Sequence, residues 1–314
     1  MDATVEQQIA SLVRATGQEP QGLICPHILV REDAVDDPSG AELVQSTVEF
    51  VNWAMSDAQL LPGEFPAEAF CAYFADYYLA QVNNGGHGQW AGNSGFNPLV
   101  VKPAGWALEA MGASEYLEVY RDFMRMMDDK TLAAAIIERG GFGERSPAED
   151  DIDDRFYALD VDFSYPMLKK SGAWLRALPC LRPLAPEELS AACAEVEAAN
   201  PFRSERLANG RRIQEEQVLY RIPRKLCADA KITFDRLTAG QPVVIDGRSR
   251  FGWYMVTNLG LMLIVFFKGS VFGGAKARLY HTDAASKAVG TPIAETSISG
   301  EDYRSAVPAR YDPT

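Results

Sequence analysis

Gln81-Val82-Asn83-Asn84-Gly85-Gly86-His87-Gly88-Gln89-Trp90-Ala91-Gly92-Asn93-Ser94-Gly95 is the stretch whose reading decides the fold. It follows Phe70-Cys71-Ala72-Tyr73-Phe74-Ala75-Asp76-Tyr77-Tyr78-Leu79-Ala80, in which Phe70, Phe74, Tyr77 or Tyr78, and Val82 recur at three- and four-residue spacing. That spacing predicts a helix with a buried face, and Pro66 suits its first turn. Asn83-Asn84-Gly85-Gly86 tolerates positive φ, so the helix is expected to stop there. An amide-rich and glycine-rich turn carrying His87, Gln89 and Trp90 is expected to follow.

Two roles are open to these residues. In the structural one, Asn83, Asn84, Gln89 and Asn93 satisfy orphan backbone groups where helices meet. Gly85, Gly86 and Gly88 then permit a tight turn, and Trp90 fills the core. In the ligand-binding one, the stretch is a polar pocket in which His87 titrates or binds a small molecule. The cost of burying unpaired polar groups favours the structural role. On that role, Asn84→Ala or Gln89→Ala costs on the order of 1–3 kcal/mol.

Asn83-Asn84-Gly85-Gly86-His87-Gly88-Gln89-Trp90, followed by Asn93-Ser94-Gly95, resembles the core motif of a bacterial family of helical domains. The best-known relative in that family is a DNA mimic, an acidic dimer that occupies the DNA-binding face of a transcription factor. The resemblance runs over roughly residues 40 to 200. It implies a helical fold, an acidic surface offered to a basic nucleic-acid-binding protein, and a homodimer among the assemblies to test.

Charge agrees with that implication. Residues 1–162 hold 28 acidic and 9 basic side chains, a balance of −19, whereas residues 163–314 hold 15 and 21, a balance of +6. Such asymmetry means either that the two parts attract each other or that the acidic part faces a basic partner. Solubility alone would also be served by the excess. The densest acidic run is Glu149-Asp150-Asp151-Ile152-Asp153-Asp154, followed by Asp160 and Asp162. It lacks the ligand register of a calcium loop. It is expected to be a solvated loop or helix start, with Asp150, Asp151, Asp153 and Asp154 as the partner-facing residues.

Other chemistry is scarce. The five cysteines are scattered, with no Cys-x-x-Cys pair, which reads as reduced thiols in a cytoplasm. Cys25-Pro26-His27 places a thiol near an imidazole, but the usual catalytic pair is distant in sequence and needs a third orienting group. Arg139-Gly140-Gly141-Phe142-Gly143-Glu144-Arg145-Ser146 lacks the ending of a phosphate loop. No catalytic residue, metal site or cofactor is assigned, and the longest apolar run, Leu259 to Phe267, is too short to span a bilayer. No signal peptide is visible at the first residues.

Helices are expected over 2–15, over 41–56 from a Ser39–Glu42 capping box with Val44, Val48, Val51 and Met55 inward, and over 98–111 with a break near Pro103. Ser114 is expected to cap the next, which carries Tyr116, Tyr120, Phe123 and Met127 on one face. Met124, Met126 and Met127 read better as core than as a peptide-binding patch. Leu132–Glu138, Tyr165–Leu178 and a helix from Pro186 to Asn200 complete the helical part. Arg203, Arg206, Arg211, Arg212, Arg221, Arg224 and Lys225 then mark a basic segment, read as a solvated helix or interdomain contact. From about residue 230 the period becomes two, with hairpin turns at Asp246-Gly247 and Asn258-Leu259-Gly260. The tail from Ala306 to Thr314 is expected to be loosely ordered. The expected fold is α+β: an acidic helical domain over residues 1–200, then a basic helix and small antiparallel β module over 201–314.

These observations favour a non-enzymatic, cytoplasmic binding protein of the DNA-mimic type, whose partner is basic and which itself contacts neither nucleic acid nor membrane. An immunity or antitoxin-like inhibitor of a basic toxin uses the same electrostatics. An enzyme with an amide-rich pocket around His87 is the third reading.

Overall fold

The computed structural model describes residues 3–141, 143–160, 166–269, 274–283 and 288–308. Phe142, Asp162, Tyr165 and most of the expected loose tail, from residue 309, lie outside the described residues. The chain forms two compact units, Met1–Ser204 and Glu205–Thr314. The fold class is α+β, with helices first and an antiparallel sheet in the C-terminal part.

The first unit runs α1 (Ala3–Arg14), β1 (Ile28–Arg31), α2 (Glu32–Val35), α3 (Ala41–Ser56), α4 (Ala67–Ser94), α5 (Pro98–Ala110), α6 (Ser114–Met126), α7 (Lys130–Arg139), α8 (Pro147–Tyr157), α9 (Pro166–Arg176), β2 (Leu181–Leu184) and α10 (Pro186–Ala199). Helix α4 is its axis, packing against α1, α3, α5, α7, α8 and α9. This explains why α4 is buried on more than one face: Ala67, Ala69, Phe70, Cys71, Ala72 and Ala75 are all buried in its first turns. A helix enclosed by others needs small residues around its girth, not one apolar stripe.

Local chemistry corrects several expectations. Helix α3 begins at Ala41 without a Ser39 capping box: Gly40 is the N-cap, and Asp37 accepts from Glu42 N at 3.0 Å and from the Ser39 hydroxyl at 2.6 Å. Its buried face is Leu43, Val44, Thr47, Phe50, Val51 and Ala54, while Met55 is exposed. Helix α5 continues through Pro103, which leaves the Leu99 carbonyl without its usual intrahelical donor but does not break the helix. Ser114 is the first residue of α6, not its cap. The acidic run is helical: Ser146 and Glu149 form a reciprocal capping box that starts α8.

Strands β1 and β2 pair in parallel, Ile28 with Leu181 through Arg31 with Leu184. They are too short to show a period of two. A buried carboxylate anchors the loop before β1, where Glu64 accepts from Gln21 N at 3.0 Å and Leu61 N at 2.9 Å.

Helix α11 (Arg203–Glu216) buries no side chain, which fits its predominantly polar sequence, with Leu207, Ala208 and Ile213 the apolar side chains in it. In the second unit α12 (Val218–Asp229) precedes a meander of β3 (Phe234–Ile245), β4 (Arg248–Thr257), β5 (Gly260–Phe267), β6 (Ala275–Thr282) and β7 (Ala288–Ile298), closed by α13 (Gly300–Ala306). Asp246 and Gly247 both take positive φ (51° and 73°), as a tight hairpin between β3 and β4 requires. Ile222, Leu226, Tyr303 and Ala306 from the two helices pack on Phe251, Met255, Ile264, Phe266, Ala277 and Leu279.

Candidate functional site

The asparagine–glycine motif does not end α4 in a loop. It kinks the helix and lets it start again. Gly86 adopts φ 76°, ψ −179°, a conformation essentially confined to glycine. Helical backbone resumes from His87 and ends at Gly95 in the left-handed region (φ 57°). A kink of this kind leaves a free carbonyl on one side and a free N–H on the other.

Helix α8 satisfies both. The Tyr157 hydroxyl donates to the Val82 carbonyl at 2.9 Å, and Asp153 Oδ1 accepts from His87 N at 2.9 Å. The Asp153 carboxylate therefore sits at the positive end of the second helical segment, as a cap supplied from another helix. It also accepts from His87 Nδ1 at 2.6 Å, while its second oxygen accepts from Arg145 Nη1 at 2.6 Å. On the other side of the imidazole, Nε2 accepts from the Tyr78 hydroxyl at 2.8 Å. The ring lies among Phe123, Phe156 and Tyr78. His87 and Asp153 are each 2% exposed.

Electrostatics follow from this enclosure. Burial lowers the His87 pKa below its usual 6.5, outweighing the opposing pull of Asp153. Burial would raise the Asp153 carboxyl, but the bonds from His87 and the Arg145 charge leave it below the usual 3.8. Burial drives Tyr78 far upward, so it remains a hydroxyl donor. The arrangement is a neutral imidazole bridging a phenol and a carboxylate, with both ring nitrogens occupied. A ligand has no free imidazole nitrogen to meet.

The other motif residues divide by position. Trp90 is fully buried against Tyr78, Tyr120 and Phe123. Gly88 and Gly92 lie one turn apart and admit the loop after α7: a Cβ on Gly88 would fall 2.8 Å from the Gly140 carbonyl, and one on Gly92 2.7 Å from Gly140 Cα. Gln81 Oε1 accepts from Gln89 Nε2 at 3.1 Å and from Asn93 Nδ2 at 2.6 Å. Ser94 Oγ donates to the Ala91 carbonyl and accepts from Phe96 N. Asn83 and Asn84 are exposed, so the expected structural role for their amides is corrected. Glycines and an imidazole–carboxylate pair hold this junction, whereas the two asparagines face water.

The acidic run is also redistributed. Asp153 belongs to the buried junction and cannot face a partner. Asp150 is half-exposed and pairs with Arg145 Nε at 2.9 Å, and exposed Asp151 lies 3.4 Å from Arg155 Nε. Asp154 is exposed and makes no ion pair among the described residues. Helix α6 packs beside α8 and adds exposed Glu115 and Glu118. Their part was hidden in the sequence, because α6 and α8 are separated by α7.

Arg145 and Arg139 come from the glycine-rich segment, which serves as a clasp for α8 and not as a nucleotide loop: Arg139 pairs with Glu149 as Arg145 does with Asp153. Cys25 is buried and donates to the His27 carbonyl at 3.2 Å, and burial raises its thiol pKa. That geometry does not make a nucleophile of it. Among the described residues no group of three His, Cys, Asp or Glu side chains could hold a metal ion, and no helix is long and apolar enough to cross a membrane.

Fold and site together define a helical domain built on a glycine-kinked central helix that an acidic helix staples. Residues 63–178 match the family model described as DMP19-like protein. That span is narrower than the 40–200 suggested by the motif's resemblance, and it contains α4 through α9. No curated protein and no solved structure matches the chain.

Proposed function

We propose that the helical domain is a binding module that offers the acidic ridge of α6 and α8 to a basic, nucleic-acid-binding protein. The observation that carries this is the excess of carboxylates over residues 1–162, with Glu115, Glu118, Asp150, Asp151 and Asp154 brought to the surface of two adjacent helices. The family match supports the coarser role, binding to a DNA-binding protein. Carboxylates held on rigid helices present fixed negative charge, as a phosphate backbone does at one charge per about 1.7 Å of duplex axis. Arg145 and Arg155 neutralise part of the ridge, so Asp154 and the α6 glutamates carry the larger share of the net field.

The experiment is affinity capture from the native host with elution by a salt gradient, then titration of the captured partner. Asp150, Asp151 and Asp154 are replaced together by asparagine, leaving Asp153 intact because it holds the junction. Screening over about 8 Å at physiological salt makes such an encounter fast at low salt and weaker as salt rises. The triple variant is expected to keep its melting temperature and lose at least tenfold in affinity, with a shallower salt dependence. Unchanged affinity and salt slope would remove this ridge as the interface.

A further inference from the structure

The second unit contains a cluster of opposite sign. Because Phe251, Ile264, Phe266, Ala277 and Leu279 pack on α12 and α13, their strand neighbours point to the other sheet face. On that face Phe267 of β5 is paired with Lys276 of β6, and Arg250 of β4 lies two residues beyond the Gly252–Val265 pair, which places it across from Phe267. Arg278 follows two residues along β6. The Arg278 and Arg250 guanidinium carbons lie 4.5 and 5.3 Å from the centre of the Phe267 ring. Two arginines from different strands thus converge on one phenyl ring.

Their countercharge is incomplete. Glu295 accepts from Lys276 Nζ at 2.6 Å and from Arg278 Nε at 2.5 Å, one carboxylate serving two cations. The Arg250 side chain makes no ion pair or hydrogen bond among the described residues, and its Nε is buried without an acceptor. Three cations and one anion leave two positive charges on a patch where Lys276 and Arg278 remain 43% and 28% exposed. A buried donor without an acceptor is unfavourable, and like charges drawn to one ring repel. An incoming anion relieves the repulsion.

We propose that Arg250, Lys276 and Arg278, gathered around Phe267, form a binding site for a phosphate group. A phosphate matches the double charge deficit, and its oxygens can accept from the two guanidinium forks at once, which one further carboxylate of single charge would satisfy less completely. The two charges are supplied either by the terminal phosphate of a small phosphorylated molecule or by two adjacent phosphodiesters of a chain, one charge each. The site lies wholly within the second unit, so it does not rest on the reading of the acidic ridge.

The test uses the full-length protein. Pyrophosphate is titrated while the arginine Nε–H resonances are followed, and a fluorescein-labelled single-stranded oligonucleotide is titrated by anisotropy. Pyrophosphate is expected to move the Arg250 resonance, and Arg250→Gln to weaken binding tenfold or more. Glu295→Gln, which frees two cations, is expected to tighten binding several-fold, a gain that misfolding cannot produce. Oligonucleotide bound at this patch and displaced by pyrophosphate identifies a phosphodiester source, and pyrophosphate binding alone identifies a small ligand; either supports the site. Equal affinities for wild type, Arg250→Gln and Glu295→Gln would overturn it. So would loss of binding only in an Arg211→Gln, Arg212→Gln control, or displacement of the probe by polyglutamate but not by pyrophosphate.

Discussion

Gly86 answers two demands that only glycine meets together. Its backbone lies in a region closed to L side chains, and a Cβ there would fall 2.1 Å from Asp153 Oδ2 and 2.7 Å from Arg145 Nη1. Gly86→Ala is therefore expected to destabilise by on the order of 3 kcal/mol, read as a shift in urea midpoint. Asn84→Ala, at an exposed position of the same motif, is expected to stay within about 0.5 kcal/mol. Equal effects for the two would refute this division of labour. His87 adds a pH signature. Its folded pKa is below the unfolded 6.5, so the unfolded chain binds the proton first and stability falls as pH drops below about 6.5. Asp153, lowered from 3.8, adds a second loss as pH falls below that value. Denaturation midpoints from pH 8 to 4 should show the first decline in wild type and not in His87→Gln, measured relative to each protein's own pH 8 value.

Helices α4 and α8 depend on each other. The kink in α4 leaves a carbonyl and an N–H that α8 supplies with Tyr157 and Asp153, and α8 is in turn held by Arg139 at the end of α7 and by Arg145 in the loop that follows, which Gly88 and Gly92 admit. Tyr157→Phe deletes one donor and keeps the ring, so a loss of about 1 kcal/mol is expected. Gly92→Ala pushes a methyl against the Gly140 backbone and is expected to cost about 1–3 kcal/mol. Amide exchange should then rise around residues 139–145 as well as in α4. Protection unchanged in that loop would show that the glycine crossing does not position it.

At the scale of the whole molecule, the buried clusters keep within units. The largest contains residues from Ile9 to Ala192, and the two smaller ones contain only residues from Ile222 onward. Each unit thus has the apolar interior an independent domain requires. We expect fragments 1–204 and 205–314 to unfold cooperatively on their own, each with a single calorimetric transition. A fragment that stays molten, with near-ultraviolet dichroism lost, would contradict that independence. Charge divides along the same line, as 16 basic and 11 acidic residues from 205 onward follow 14 and 32 before.

The sequence by itself determined the periodic features. Aromatic spacing in 70–82, the two-residue period after 230, the turn residues at 246–247 and the charge asymmetry are local or additive properties, and they needed no knowledge of neighbours. The asparagine–glycine motif likewise announced a backbone break. Only the tertiary structure decided what the break was for, because the groups that complete it, Asp153 and Tyr157, lie 66 and 75 residues from His87 and Val82. The same distance in sequence concealed that one aspartate of the acidic run is buried while its neighbours meet solvent. A helix turns each side chain by about 100° from the last, so four nearby aspartates cannot share one environment once one face is packed. Which face packs is set by the partner helix, and composition carries no record of it.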